Sequence, residues 1–266
     1  MAALHVRTAD ADVLLLNELG LGPGIDHLSA LDLLTRLKAR GQVVEAFTSF
    51  CGGVPAPDVP HTPLRYKLSW NAACCWRGSM ARDICWVVRC VGNVSALRGA
   101  LEWLGLVPPS TSPAYTTATT FAPAPPTHPA LPARPTAPIN IFTSLLAHKL
   151  AYARGERDMV VLAHEVVARD SATQVERVYT SALVECGTPR ASAMARTVGV
   201  PVGVAALLVL DGEVGVRGVC GPVVQGVYEP VLRRLERYGL GMKETVREVG
   251  VGRRTVESAL RGVSEL

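Results

Sequence analysis

The chain has 266 residues, of which 48% are hydrophobic, and a formal net charge of +4. This composition can bury a sizeable core, so it excludes a disordered protein and leaves room for one large or two small domains. The 27 basic residues are scattered rather than clustered, which argues against a nucleic-acid partner.

The sequence also carries no clear signal for a membrane or a metal. The longest apolar run, Val198 to Leu210, is interrupted by Pro201 and is shorter than the roughly 20 residues that span a bilayer, so we expect no membrane partner. The seven cysteines form no CxxC pair and have no histidine at ligand spacing, so we expect neither a metal site nor a disulfide framework. The N-terminal apolar stretch is too short for a secretory signal. These features predict a soluble intracellular protein.

The first predicted unit is a strand, a glycine turn and a helix. Ala11 to Leu16 is a short apolar run typical of a buried parallel strand, and it leads into a turn at Gly20–Gly24. The helix that follows has one apolar face and a capping glycine, carried by Ile25, Leu28, Leu31, Leu34, Leu37 and Gly41. The G-x-G-x-G spacing differs from the G-x-G-x-x-G of dinucleotide loops, so a phosphate loop is not indicated.

The stretch Phe47 to Trp70, FTSFCGGVPAPDVPHTPLRYKLSW, predicts two strands joined by a shaped loop. The first strand should break at Gly52-Gly53, and the second should be the alternating segment from Tyr66 to Ser69. Glycine pairs allow a close backbone approach, and prolines remove amide donors. An ordinary strand connection, whose glycines serve only turns, is the alternative.

The middle of the chain gives few signals. Residues 71–96 follow neither strand nor helix periodicity and stay unassigned. Leu97 to Leu106 predicts a helix that Pro108 and Pro109 stop, and residues 108–138, rich in Pro, Thr and Ala, predict a disordered linker. A polyproline ligand is the alternative for the linker, although no basic-flanked PxxP is present.

The C-terminal half predicts a helix around Leu145, then a strand from Asp158 to Glu165 that pairs with Tyr179 to Glu185. His164 and Glu165 are interpreted as a strand pair at a sheet edge or turn rather than a catalytic dyad. Ser192 to Leu210 contains small residues that would let helices approach closely, with Pro201 as a kink or a new start. A last helix around Val231 and Leu235 should end at Gly239.

Five segments together resemble the saccharopine dehydrogenase family, including the saccharopine-oxidising half of bifunctional lysine-degrading enzymes. Two of them, NELGLGPGIDHL at Asn17–Leu28 and the Phe47–Trp70 stretch, occur in the family's order. The other three, HKLAYARGERDMVVLAHEV, AMARTVGVPVGVAALLVLDGEVGVRGVCGP and VYEPVLRRLERYG, resemble the family's C-terminal part.

The resemblance implies an α/β fold: a remnant of a Rossmann-type nucleotide domain joined to a mixed-sheet substrate and dimerisation domain. On this basis residues 1–42 are the terminal βα unit of the nucleotide domain. Residues 43–107 begin the substrate domain, which diverges after residue 70. Residues 108–138 are the linker, and 139–266 form the C-terminal domain, expected to form a homodimer.

The resemblance also implies an oxidoreductase of lysine metabolism that oxidises saccharopine with NAD or NADP to aminoadipate semialdehyde and glutamate. Cofactor-binding positions are Leu21, Gly22, Pro23 and Ser69, and substrate-binding positions are Tyr66 and Lys67. Arg65 and Lys67 alternate in direction, so only one of them can face a cleft, and a surface cation is the alternative for Lys67. No catalytic residue is assigned, and the compartment is cytoplasmic or mitochondrial.

Three departures from the family keep a second hypothesis open. The family carries Asp where this chain has Gly22, two arginine-bearing segments have no counterpart, and almost the whole dinucleotide-binding domain is expected to be missing. The alternative is therefore a catalytically incompetent fragment that self-associates or pairs with a complete subunit. A truncated gene product would share these sequence features.

Overall fold

A computed structural model describes residues 2–60, 64–70, 94–105 and 138–248. Within those ranges the helices are α1 (Ala2–Asp10), α2 (Ile25–Ala39), α3 (Val94–Leu104), α4 (Pro138–Lys149), α5 (Ala193–Leu210) and α6 (Gln225–Glu236). The strands are β1 (Leu14–Leu16), β2 (Gln42–Pro55), β3 (Asp158–Asp170), β4 (Glu176–Cys186), β5 (Gly218–Cys220) and β6 (Lys243–Glu248). The predicted α/β class is confirmed.

The described strands form two sheets. β1 pairs in parallel with β5, placing Leu15 beside Val219. The other sheet has the order β2-β3-β4-β6, and β4 pairs antiparallel with β6, placing Tyr179 opposite Val246. The described residues therefore contain a parallel strand pair in one sheet and an antiparallel pair in the other.

The chain divides into two compact units. Unit 1 comprises Met1–Gly52, Val160–Cys186 and Ala193–Leu266, and unit 2 comprises Gly53–Met159 and Gly187–Ser192. The predicted domain boundaries follow the family and stay a prediction.

The main core of unit 1 is formed by the apolar faces of α2, α5 and α6. Leu28, Leu208 and Leu235 have no exposed surface, and they belong to one cluster of buried side chains. The predicted helix face of α2 is confirmed, since Ile25, Leu28 and Leu37 are buried. Gly41 adopts the expected left-handed conformation, with φ of 72°.

Unit 2 has a smaller core, centred on the buried side chains of Leu64, Leu104 and Leu150. The Leu68 amide donates to the Leu150 carbonyl at 2.8 Å, which ties the segment before Trp70 to the end of α4. This contact fixes the backbone of the residues that the sequence selects as substrate-binding.

Several predicted elements differ from the structure. The strand predicted from Tyr66 to Ser69 is wrong, because Arg65 adopts φ of 49° and the segment bonds to Leu150 rather than to a sheet. The break predicted at Gly52-Gly53 is wrong too, since β2 continues to Pro55. β3 lies between β2 and β4, so His164 is not at a sheet edge.

Helix α5 also departs from its prediction. The helix runs unbroken through Pro201. No other described part of the chain lies within 4 Å of a Cβ built at Gly199 or Gly203. The prediction that another helix packs closely at these glycines is therefore wrong for the described residues. By length and composition alone α5 could cross a membrane, a test that the core helix of a globular domain also passes. Its buried face, including Val204, packs in the main core of unit 1.

Part of the predicted organisation lies outside the described residues. The unassigned stretch is described only from Val94, where α3 begins, and the linker only at Pro138, the first residue of α4. The tail beyond Glu248 is also outside.

Candidate functional site

The glycine turn of unit 1 is closed by its own backbone. The Gly20 amide donates to the Pro23 carbonyl at 3.0 Å, and the Ile25 amide donates to the Gly20 carbonyl at 2.9 Å. Gly24 adopts φ of 151°, and a Cβ there would lie 1.8 Å from the Gly20 carbonyl oxygen, so only glycine fits. Leu21 is buried, whereas Gly22 and Pro23 are exposed.

The Asp26 carboxylate occupies the N-terminus of α2, where a phosphate would otherwise bind. Its Oδ1 accepts from the amides of Gly24 at 3.0 Å and His27 at 2.7 Å. These amides are consequently unavailable to a ligand, and a negative charge already sits at the helix terminus. The geometry supports the sequence argument that this turn is not a phosphate loop.

Gly22 faces the same carboxylate. A Cβ at Gly22 would lie 3.1 Å from Asp26 Oδ2 and 3.2 Å from Cys51 Sγ. Although Cys51 as a whole is exposed, desolvation of its thiol, and then the charge of Asp26, raises its pKa to about 12. The thiol is protonated at neutral pH, so Cys51 is a poor nucleophile here.

His164, on β3, joins three elements of unit 1. Its Nε2 lies 2.8 Å from Ser29 Oγ on α2, and its Nδ1 lies 3.0 Å from Ser49 Oγ on β2. Ser29 Oγ also lies 2.6 Å from the Ile25 carbonyl, which can only accept, so we assign the imidazole proton to Nε2, with Nδ1 accepting from Ser49.

The imidazole of His164 is 1% exposed and stacks on Phe47, with ring centroids 5.7 Å apart. Burial lowers its pKa, and the nearby Asp26 charge opposes that shift without reversing it. A neutral imidazole whose two nitrogens are both bonded serves packing rather than proton transfer, which agrees with the interpretation that His164 and Glu165 are not a catalytic dyad.

The predicted substrate-binding residues lie in unit 2, and the structure gives each a protein partner. Lys67 is 6% exposed and forms an ion pair with Glu156, so the surface-cation alternative is wrong. Its Nζ lies 5.8 Å from the ring centroid of Tyr152. The hydroxyl of Tyr66 accepts from the Trp70 indole at 3.0 Å.

A cavity of about 420 Å³ lies within unit 2. It is lined by Leu68, Ser69, Trp70, Ala147, Ala151, Tyr152, Glu156, Arg157, Asp158, Thr188 and Ser192. Two of its hydroxyls, Ser69 Oγ and Tyr152 Oη, are buried and have no hydrogen-bond partner among the described residues. An unpaired buried hydroxyl typically costs about 1–3 kcal/mol.

The sequence indicates Ser69 through resemblance alone, and it misses Tyr152, Arg157 and Asp158. These residues lie in HKLAYARGERDMVVLAHEV, which resembles the family but has no motif of its own for binding. Only the fold brings this segment beside Ser69. Among the described residues, no group of three His, Cys, Asp or Glu side chains could hold a metal.

The architecture defines a mixed α/β protein with a glycine turn between β1 and α2. The chain belongs to the saccharopine dehydrogenase C-terminal domain family, whose model matches residues 20–87 and 80–240.

Similar proteins of known name support this family assignment. The mitochondrial alpha-aminoadipic semialdehyde synthase of Bos taurus is 25% identical over 336 residues, covering 89% of this chain and 36% of that protein. The saccharopine dehydrogenase (NADP(+), L-glutamate-forming) of Pyricularia oryzae is 25% identical, covering 92% of this chain and 76% of that enzyme. The alignment with the bovine protein is longer than this 266-residue chain, so it contains gaps on the side of this chain.

The solved structures agree on the fold. An apo saccharopine dehydrogenase (L-Glu forming) from Saccharomyces cerevisiae matches with a TM-score of 0.67 at 21% identity, over 92% of this chain and 77% of that one. The chain spans about 36% of the length of the mammalian relatives.

Proposed function

We propose that this chain is the substrate-domain portion of an oxidoreductase of lysine metabolism. The enzyme would oxidise saccharopine with NAD or NADP to aminoadipate semialdehyde and glutamate. The observation that carries the proposal is the family match over residues 20–87 and 80–240, which includes both the glycine turn and the cavity-lining segments. The names of the relatives, which include saccharopine dehydrogenase, support the same reaction.

The residues predicted to bind the cofactor could line its nicotinamide end, but they provide no site for its pyrophosphate. We propose that Leu21, Gly22, Pro23 and Ser69 lie along the nicotinamide end. The amides of Gly20, Gly24 and Ile25 are consumed within the turn or by Asp26, so the turn does not fit a pyrophosphate. A bound nicotinamide would supply the hydride acceptor, and we assign no step to it in this chain.

The substrate positions act indirectly. Tyr66 and Lys67 are proposed to lie beside saccharopine, but the Lys67 charge is already neutralised by Glu156. Since Glu156 also accepts from the Ala153 amide at 2.7 Å, the pair fixes the backbone next to Tyr152. Lys67 is therefore a positioning residue for the cavity and not a clamp for a carboxylate.

The relatives include a mitochondrial protein, and we propose a cytoplasmic or mitochondrial location. We expect the chain to bind saccharopine without cofactor, and to do so more tightly than lysine, which lacks the glutamate-derived carboxylates. Calorimetric titration of the full chain with each compound tests this. A chain that is folded by circular dichroism and gives equal or no heat with saccharopine contradicts the proposal.

A second candidate function is self-association as a homodimer. The observation that favours it is the outer face of α5, where Val198, Val202, Leu207 and Leu210 are 40%, 51%, 45% and 82% exposed. A contiguous apolar face of this kind marks an interaction surface, and the open space at Gly199 and Gly203 would admit a second helix closely. A second copy of this chain presents the same face.

Light scattering at micromolar concentration tests the homodimer. We expect a dimer that the substitution Val202→Lys converts to a monomer, whereas Arg190→Ala, on an exposed loop, leaves it a dimer. A monodisperse wild-type monomer would contradict self-association.

A further inference from the structure

Strand β6 lies at the edge of its sheet with almost no buried side chain. All six of its residues are exposed, and its apolar residue, Val246, is 56% exposed. Its backbone pairs antiparallel with β4 from Arg177 to Ala182. A strand that buries so little apolar surface has low local stability, because little burial is lost when it opens.

The chain just before β6 is anchored in the core of unit 1. Leu240 is 1% exposed, and Met242 packs against the main core cluster. These two residues fix the point from which the strand departs. β6 can therefore open beyond Met242 without disturbing the core.

Two ion pairs hold β6 on the face that points toward α2. Glu244 pairs with Arg36 of α2, and Glu248 pairs with Arg177 of β4 at 3.0 Å. The two glutamates are four positions apart, so they project from the same face of the strand. Their side chains are 37% and 68% exposed, so each pair is weak and is screened by salt.

A third ion pair holds β6 on the opposite face. Arg247 alternates with the two glutamates, and its guanidinium lies 3.9 Å from the Glu165 carboxylate on β3. β4 lies between β3 and β6, so the Arg247 side chain reaches across it. Glu165 is 7% exposed, so the covering strand presents a cation to a buried carboxylate. The place that β6 occupies thus matches carboxylates on one face of a strand and a cation on the other.

We propose that β6 is a removable strap over the edge of β4, and that an extended protein segment with the same charge pattern can take its place. The strap opens beyond Met242 as a unit, while β2, β3 and β4 stay paired. The uncovered edge presents the backbone of β4, with Arg36 and Arg177 on one face and Glu165 on the other. The incoming segment pairs antiparallel, as peptides do when they extend a sheet. The proposal involves neither the cavity of unit 2 nor a cofactor, so it holds or fails independently of the proposed oxidation.

Hydrogen–deuterium exchange of the full chain, read by mass spectrometry, tests the opening. We expect the amides of β6 to exchange about tenfold or more faster than those of β3, after correction for intrinsic rates. Raising NaCl from about 0.05 M to about 0.5 M should speed exchange in β6 about threefold or more and change β3 little, because salt screens the exposed pairs. Exchange in β6 as slow as in β3, or without a salt response, overturns the proposal.

Variants test whether the ion pairs hold the strap. The double change Glu244→Gln, Glu248→Gln should speed exchange in β6 about threefold or more at low salt, as loss of two exposed pairs implies. The control Arg217→Gln breaks an exposed pair with Asp12 beside the other sheet and should leave β6 unchanged. Equal acceleration of β3 in the double variant would show that β6 opens only with the whole unit, and this overturns the proposal.

A labelled synthetic peptide of residues 242–248 tests strand addition by fluorescence anisotropy. We expect it to bind the full chain about tenfold or more tightly than the same peptide carrying Glu244→Lys, Arg247→Glu and Glu248→Lys, because like charges then meet at the edge. The double variant should bind the unchanged peptide more tightly than wild type does, because its own strap opens more often. Equal binding of the two peptides, or no binding, overturns the proposal.

Discussion

Both units contain a buried hydroxyl without a partner, but the surroundings of these hydroxyls differ. In unit 1, the His164 imidazole has both nitrogens bonded to serines of α2 and β2, and Ser181 Oγ on β4 has no partner among the described residues. In unit 2, Ser69 and Tyr152 line a cavity, and their hydroxyls have no partner among the described residues. Saturated polar groups fix a fold, whereas unsaturated ones leave bonding capacity for a ligand. We therefore expect substitution of His164 to change stability, and substitution of Ser69 or Tyr152 to change binding.

The largest effect is expected at the glycine turn of unit 1. Gly24→Ala would place a Cβ 1.8 Å from the Gly20 carbonyl at φ of 151°. The destabilisation should exceed about 4 kcal/mol, a size that only a severe steric conflict produces. Urea denaturation of the variant measures it. As a control, Gly99→Ala on α3, which has open space around it, should stabilise the protein by about 1 kcal/mol.

The Lys67–Glu156 pair should follow, because it is largely enclosed. The side chains are 8% and 17% exposed, so Lys67→Met strands a carboxylate and should cost about 3 kcal/mol. The double variant Lys67→Met, Glu156→Gln should recover most of this loss.

The exposed pair of Arg157 and Asp58 is the matched comparison in the same unit. Asp58→Ala should cost less than about 1 kcal/mol of unfolding free energy. Equal costs for the enclosed and exposed pairs, in the same denaturation experiment, would show that burial does not distinguish them.

His164 should give a smaller effect than the enclosed ion pair, and the most pH-dependent one. Its folded pKa is lowered by burial, so the unfolded chain binds a proton first as the pH falls. Stability from this group is present above the unfolded pKa of about 6.5 and declines toward the folded pKa, by at most about 1.4 kcal/mol per pH unit. His164→Leu should cost about 2 kcal/mol at pH 7.5 and reduce this slope.

Denaturation between pH 7.5 and 5 compares wild type with His164→Leu. A wild-type slope that is unaffected by His164→Leu would contradict a buried neutral imidazole.

Local signals predicted the elements that have their own apolar pattern. The β1, glycine turn and α2 sequence, the β3–β4 pair and the helix ending before Gly239 all follow from periodicity and caps. β6 has no such pattern, because all six of its residues are exposed, and its strand form depends on pairing with β4. The alternation from Tyr66 to Ser69 predicts a strand that the bond to Leu150 prevents.

The candidate sites were only partly predictable for a related reason. Resemblance selected Gly22 and Ser69, but the approach of Asp26 and Cys51 to Gly22 appears only in three dimensions. Tyr152 lies far from Ser69 in sequence, and its unpaired hydroxyl is a property of packing. Sequence patterns report local conformation, whereas the partners of a buried polar atom depend on the whole fold.

The most direct test of the proposed function is a nicotinamide assay on the purified full chain. Reduction of NAD or NADP with saccharopine is followed at 340 nm, beside a calorimetric titration of each cofactor. Because the turn amides are used internally and the Lys67 charge is paired, we predict neither tight cofactor binding nor turnover by this chain alone, while saccharopine itself binds. Micromolar cofactor affinity together with steady turnover would contradict this account and show a complete active enzyme.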